Sequence, residues 1–194
     1  MAKIGLSNFR YGILTEGADG TPSYGGAKTP GKAVSCNVNV TNNTAELYAD
    51  NALAESDYGF QKATVTMGID RNDDTVMADL LGHTIASDVM TRNAQDVAPY
   101  VGLGHIVTEM VDGTYKYRAE FLFKVKFSEN SKESSTRGES LEFSTIELEG
   151  TATTLKNGDW SCTETFTTHD AALAYIEGLL AAPTPAPTEN ANPQ

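Results

Sequence analysis

Residues 115–127 read YKYRAEFLFKVKF. One set of alternate positions is aromatic or small and apolar, and the positions between them are mostly charged. The first set is Tyr115, Tyr117, Ala119, Phe121, Phe123, Val125 and Phe127. A period of two predicts a β-strand with one buried face. At about 3.3 Å per residue the strand spans about 40 Å, longer than most strands, so we expect its ends to reach toward a neighbouring subunit.

The sequence on either side of this strand predicts its neighbours. Asp112-Gly113 is typical of a tight hairpin turn and connects back to a strand over 99–110. After a polar segment at 128–140, residues 141–154 form a predicted partner strand, in which a change of parity indicates a bulge near Thr145. Lys156-Asn157-Gly158-Asp159 then predicts a second hairpin, leading into a last strand over 160–167.

The remaining segments complete a mainly β fold. Residues 3–14, 33–41 and 60–70 read as strands, and Val34, Cys36, Val38 and Val40 share one face of the second. A short helix is capped by Asp73 or Asp74 and ended by Gly82, and a terminal helix over 169–180 follows the capping Thr168. We therefore predict an antiparallel β-sandwich or barrel with one short internal helix and one C-terminal helix.

This pattern indicates one folded domain over residues 1–180. Residues 181–194 are rich in proline and contain no large apolar side chain, so we expect a disordered tail whose deletion leaves assembly intact. The polar segment 128–140 and a long connection at 42–58 are expected to order mainly between subunits.

Composition limits the classes of function. The formal net charge of −12 argues against a surface that binds nucleic acid, because phosphate binding requires clustered cations. The N-terminus lacks the apolar run of a signal peptide and no segment is long and apolar enough to cross a membrane, so we expect no membrane insertion. Two distant cysteines, Cys36 and Cys162, are expected to be free thiols rather than a disulfide.

The sequence contains little that indicates chemistry. The three histidines lack metal-binding spacing, and we expect them at the surface or just beneath it. Residues 70–81 resemble a calcium loop only faintly, because the positions that require glycine and a bidentate glutamate hold Thr75 and Leu81. Glu147 and Glu149 are better explained as a polar strand face than as a glycosidase pair. We therefore predict no enzyme activity and no cofactor or metal.

A row of cations follows the charged side of the long strand. It consists of Lys116, Arg118, Lys124 and Lys126. One interpretation is a stripe that binds nucleic acid, and the favoured one is cross-strand pairing with carboxylates, within the subunit or across an interface. A simple hairpin would place Lys124 opposite Glu142, with Glu147 and Glu149 near Lys116 and Arg118.

The order of these elements resembles a known family. A glycine-rich N-terminal segment is followed by a valine-rich strand, the loop at 47–55 that begins Leu47-Tyr48-Ala49-Asp50, a strand with a short helix at 64–82, the aromatic strand and a last strand with Trp160. Over residues 1–180 this is similar to the major tail proteins of bacteriophages with long, non-contractile tails. The Leu47-Tyr48-Ala49-Asp50 sequence is the most specific part of the resemblance.

The resemblance implies a structural virion protein. Its relatives form hexameric rings that stack into a tail tube, their long hairpin strands join around a lumen, and DNA passes through that lumen into the host. Implied partners are further copies of the chain and the tape-measure, tail terminator and baseplate or distal tail proteins. The implied location is the virion tail, with assembly in the host cytoplasm.

Two sets of residues follow as candidates under this interpretation. The candidate inter-subunit residues are Leu47, Tyr48, Asp50, Asn51, Glu55, Glu133 and Arg137. The candidate lumen residues are Lys116, Arg118, Lys124, Glu142, Glu147 and Glu149. Because free cations would retain passing DNA, we expect a neutral or negative lumen in which these lysines pair with glutamates.

Two alternatives stay open. One is a monomeric β-sandwich module that binds carbohydrate or a host surface, which would show clustered exposed aromatic side chains on a concave face. The other is a tube subunit like those of type VI secretion, which sequence separates poorly from a phage tube.

Overall fold

The computed structural model describes residues 2–18, 20–49, 52–129 and 145–181, with the backbone alone for 45–49 and 52–57. The elements are β1 (Ala2–Glu16), β2 (Pro22–Tyr24), β3 (Ala33–Ala49), β4 (Ala52–Ile69), α1 (Asp74–Leu81), β5 (Thr84–Ala86), β6 (Val89–Thr91), β7 (Tyr100–Val111), β8 (Thr114–Ser128), β9 (Ile146–Ala152), β10 (Ser161–Phe166) and α2 (His169–Leu179). All strand pairs are antiparallel, so the predicted mainly β fold with two helices is confirmed.

One eight-stranded sheet folds over on itself to make two layers. Its order is β2-β1-β7-β8-β9-β4-β3, with β10 also paired to β8. The edge of β8 that faces away from β7 is shared, because residues 117–122 pair with β10 and residues 125–128 pair with β9. Strands β2, β1, β7, β8 and β10 therefore form a first layer, and β9 leads into a second layer with β4 and β3.

The space between the layers holds the main apolar core. Both layers contribute fully buried side chains to it, among them Phe9, Tyr11, Val65, Met67, Ile69, Val101, Leu103 and Val125. Helix α1 adds Val76, Met77, Leu80 and Leu81. The helix begins after Asp73, whose side chain accepts a hydrogen bond from the Thr75 amide, and it ends at Gly82 with a φ of 79°. Both predicted caps of this helix are confirmed.

Helix α2 covers the outer face of the first layer. Ala172, Ile176 and Leu180 pack against Tyr24, Ile106, Ala119 and Phe121 in a second core cluster. Two glycines of β7 allow the close approach. A Cβ added at Gly104 would lie 2.4 Å from Cγ2 of Ile176, and one added at Gly102 would lie 2.5 Å from Cε1 of Tyr24. The predicted helix and its Thr168 cap are confirmed.

The sequence predicted that the central strand β8 buries one face along its whole length. This prediction is wrong. Leu122 pairs with Leu103 and Val125 with Val101, so β8 holds one extra residue at 123–124. This bulge reverses the faces, because one inserted residue shifts a period of two. Before it, Ala119 and Phe121 face α2, and after it Val125 and Phe127 face the main core.

The two predicted turns differ in outcome. Asp112 and Gly113 have φ values of 50° and 77°, as the predicted turn between β7 and β8 requires. The turn around Gly158 also forms, with a φ of 94°. The hairpin predicted there is wrong, however, because β9 and β10 each pair with β8 and not with each other.

A charged pair lies inside the sandwich. Nε2 of His105 lies 3.3 Å from Oε2 of Glu120, its register partner on β8, and His105 is only 3% exposed. His105 thus lies just beneath the surface, where it also lines a groove between β1 and β3. Burial by itself lowers the pKa of His105, but hydrogen bonds with Cys36 and Glu120 outweigh it and raise the pKa to about 9. The hydrogen bond from His105 holds the pKa of Glu120 below its usual value.

We expect this pair to make stability depend on pH. The raised pKa of His105 stabilises the fold fully below its ordinary value of 6.5, and that contribution is lost as pH rises through about 9. The lowered pKa of Glu120 contributes above its ordinary value of 4.5 and is lost on acidification. Thermal melts should therefore show the difference between wild type and Glu120→Gln to be largest near about pH 5–6 and to shrink toward about pH 10. A difference that is constant across this range would contradict the assignment.

Candidate functional site

The β3–β4 hairpin projects beyond the two layers. Its register runs from Ala33 opposite Ile69 to Ala49 opposite Ala52, whereas β9 pairs with β4 only from Ala63 onward. The outer eight or so residue pairs thus extend by about 25 Å at roughly 3.3 Å per residue. The side chains of residues 41–44 are exposed, and Tyr58 is 65% exposed. The connection predicted at 42–58 is wrong, because most of this segment forms paired strands.

The candidate inter-subunit residues fall into two groups. Leu47 pairs with Glu55 and Tyr48 pairs with Leu53, so the structure brings these positions together near the end of the hairpin. Asp50, Asn51, Glu133 and Arg137 lie outside the described residues, as does most of the polar segment 128–140 and almost the whole predicted tail 181–194.

Several strands of the described chain have an edge without a strand partner, among them the short β2, β5 and β6 and the longer β3 and β10. β3 pairs only with β4, and β10 pairs only with β8. On β3, Cys36 and Val38 pack against the core as predicted, but Val34 and Val40 are each 48% exposed. An open edge presents backbone donors and acceptors to a further strand, and exposed valines add apolar area beside them. The alternation of β3 was visible in the sequence, whereas the incomplete cover over two of its valines was not.

Phe60 and Trp160 join the base of the hairpin to the first layer. Their rings stack with centroids 4.6 Å apart and an interplanar angle of 12°. Neither residue was a candidate from the sequence, because Trp160 is distant from Phe60 along the chain.

The predicted pairing of the β8 cations is wrong in its partners. Arg118 lies 3.8 Å from Glu109 and 3.5 Å from Glu120, and Lys116 is opposite Glu109. Glu149 is opposite Ser128, at the other end of β8. Glu147, two residues before it on β9, is opposite Gly68 of β4. Both glutamates are exposed. The reason is topological: β8 pairs along its first half with β7 and β10, so β9 reaches only its last residues. Glu142 lies outside the described residues.

Lys124 has a partner that the sequence did not suggest. Its Nζ lies 2.8 Å from Oε2 of Glu16, at the end of β1, and Oε1 of Glu16 accepts a hydrogen bond of 2.7 Å from the Lys156 amide. The hydrogen bond from Lys124 is the main cause of a lowered pKa at Glu16. This ion pair joins β1, β8 and the turn after β9 at one end of the first layer.

The cations do not form one row. Arg118 is on the same face as Leu122, which packs in the main core, whereas Lys124 and Lys126 alternate with the core residues Val125 and Phe127. The bulge at 123–124 thus directs the two pairs of cations to opposite faces of the sheet. A single lumen lining made of all the candidate cations is therefore inconsistent with the structure.

Among the described residues, no group of three or more His, Cys, Asp or Glu side chains is arranged so that it could hold a metal ion. None of the helices in the described part of the chain is long and apolar enough to cross a membrane. No protein-family model and no curated protein matches the sequence. The open edges and the projecting hairpin are therefore the features on which a function can be argued.

Proposed function

We propose that the protein is a structural subunit of a bacteriophage tail tube, which assembles into stacked hexameric rings around a lumen that DNA crosses. The observation that carries the proposal is the β3–β4 hairpin, which leaves the sandwich with an open edge and exposed side chains. A two-stranded ribbon is marginally stable alone in water, so one that projects from a domain is well suited to pairing with another chain. β10 offers a second open edge on the other layer.

Charge is consistent with a conduit for DNA. The net charge is −12, and the described cations of β8 mostly have carboxylate or aromatic neighbours. A wall of this kind forms few lasting phosphate contacts, and lasting contacts would slow transit. Under this proposal the tape-measure, terminator and distal tail proteins are the further partners, and the virion tail is the location.

The distribution of aromatic residues favours a tube subunit over a monomeric binding module. Phe121 and Phe123 pack beneath α2, in the second core cluster. The exposed tyrosines Tyr100 and Tyr115 lie beside opposite ends of β8, because Tyr100 pairs with Lys126 and Tyr115 follows the turn. Tyr58, the other tyrosine found exposed, is on the projecting hairpin, so the tyrosine side chains that the structure describes do not form the compact aromatic platform that a carbohydrate-binding face requires. A tube subunit of a secretion system shares all these features and differs only in its partners.

Electron microscopy of the concentrated protein tests this function. We expect rings or tubes of the wild-type chain, and a strict monomer at high concentration would overturn the proposal. Light scattering over a concentration series gives the same answer in solution.

A charge on the open edge should block assembly. Val40→Lys places an ammonium group where a partner strand would bury an apolar side chain, so we expect assembly to require about tenfold more protein, or more. Val97→Lys is the matched control, because Val97 is 72% exposed and lies in the loop before β7, beside the end of α1 rather than on a strand. Both variants should melt within a few degrees of wild type. Equal assembly by the two variants would show that the edge of β3 is not an interface.

A further inference from the structure

Three side chains form a chain across the gap between the layers. Sγ of Cys36 on β3 lies 3.9 Å from Nδ1 of His105, and Nε2 of His105 lies 3.3 Å from Oε2 of Glu120. The His105 ring is 3% exposed and packs 5.8 Å from the ring of Phe9, so its orientation is fixed. A thiol, an imidazole and an orienting carboxylate in this sequence are the parts of an activated nucleophile.

Charged side chains surround the His105–Glu120 pair beside the thiol. Glu120 lies 3.8 Å from Lys3 on β1 and 3.5 Å from Arg118, and Arg118 lies 3.8 Å from Glu109 on β7. Because the pKa of His105 is raised to about 9, its ring is protonated at neutral pH. The three cations Lys3, Arg118 and protonated His105 then lie beside the two carboxylates Glu109 and Glu120. This leaves one positive charge in excess in this cluster. An adjacent imidazolium is a known means of activating a cysteine.

Small molecules have a route to this sulfur. A groove of about 490 Å³ runs between β1 and β3, and it is lined by Lys3, Leu6, Ser35, Cys36, His105 and Val107, among others. Cys36 is itself half-buried rather than enclosed. This volume is within the range of sites that bind small ligands.

We propose that Cys36 is a reactive thiolate, stabilised by His105 and Glu120, that exchanges with small disulfides entering the groove. The thiolate attacks one sulfur of the disulfide, the disulfide bond breaks, and a mixed disulfide forms on Cys36 while the second sulfur leaves as a thiolate. No net oxidation or reduction occurs in this step. His105 is a positioning residue, which donates its N–H to the sulfur and is held by Glu120. The site is built from contacts within one chain.

The second cysteine is an internal reference. Cys162 on β10 lies on the opposite face of the first layer, beneath α2, with its Sγ 3.7 Å from the hydroxyl of Tyr175. Burial raises the pKa of the Cys162 thiol. It has no imidazole neighbour among its contacts, so it should react slowly.

The test compares the two thiols in the full-length chain. Cys162→Ser leaves Cys36 alone and Cys36→Ser leaves Cys162 alone, and each is treated with the aromatic disulfide DTNB and with neutral iodoacetamide. We expect Cys36 to react about tenfold faster than Cys162, or more, at about pH 7. From about pH 8 to 6 its rate should change by less than about threefold, whereas an ordinary thiol loses about tenfold per pH unit. Because iodoacetamide is uncharged, a fast reaction of Cys36 with it cannot be caused by electrostatic attraction of the reagent, as it could be with the anionic DTNB.

A variant in the Cys162→Ser background tests the partner. His105→Gln should slow Cys36 by about tenfold at about pH 6 and restore an ordinary pH profile. Glu120→Gln should give an intermediate rate. It replaces His105→Gln as the test if circular dichroism shows that His105→Gln is not folded. Cys162→Ser leaves Cys36, His105 and Glu120 unchanged. Its own pH profile therefore tests the proposal without altering any of these three residues. A Cys36 rate that falls tenfold per pH unit, or that is unchanged by both substitutions, would overturn the proposal.

Discussion

Phe121→Ala should destabilise the protein by about 3–5 kcal/mol, the usual loss when a buried phenylalanine is truncated. Phe121 is 0% exposed, and its ring makes edge contacts with Tyr24 and Phe123 at centroid distances of 5.7 and 5.5 Å. The ring also fills the space over Gly102 and Gly104 between β7 and α2. Its removal leaves a cavity bounded by a helix and a sheet, neither of which can move in without losing its other contacts.

Urea unfolding of the monomer, followed by circular dichroism, measures this loss. Tyr115→Ala is the matched control, because Tyr115 is an aromatic residue on the same strand but is 52% exposed. We expect the control to change stability by less than about 0.5 kcal/mol. Similar losses for the two variants would mean that α2 does not cover this face of the sheet.

Gly104→Ala should destabilise by about 1–3 kcal/mol, the typical cost of overpacking a closed core. The added methyl would lie 2.4 Å from Cγ2 of Ile176 and 3.0 Å from the Phe121 ring, and both side chains are fully buried. Helix α2 must therefore shift away from the sheet. The cost comes from lost space rather than from backbone strain, since Gly104 does not have a positive φ.

Gly178→Ala, in helix α2 itself, is the opposite case. A Cβ at Gly178 meets nothing within 4 Å, so alanine should stabilise by about 0.4–1 kcal/mol by restricting the unfolded chain. Equilibrium unfolding should thus move in opposite directions for the two glycine-to-alanine changes. If Gly104→Ala were neutral, the close packing of α2 on β7 would be wrong.

The elements whose signal is local could be predicted from the sequence. α1 was predicted with both caps, because Asp73 satisfies free amides and Gly82 adopts a left-handed φ that other residues resist. The turn at Asp112-Gly113 and the cap at Thr168 were also predicted correctly, because each depends on the preferences of one or two residues. The mainly antiparallel β class also follows from alternation and turn residues, which act over a few positions.

The tertiary structure alone decided which strands pair and which faces are buried. The hairpin at 42–58 was missed because its alanine, glutamate and aspartate residues have a low strand propensity. Continuous pairing of β3 with β4 stabilises the strands in spite of that low propensity. The bulge in β8 arises from register with β7 and is invisible in the alternation of β8 itself. Cys36 meets His105 only because the sheet folds over on itself, and Glu16 meets Lys124 only because β1 and β8 both lie beside β7. Such contacts join positions far apart in the chain, and no local preference specifies them.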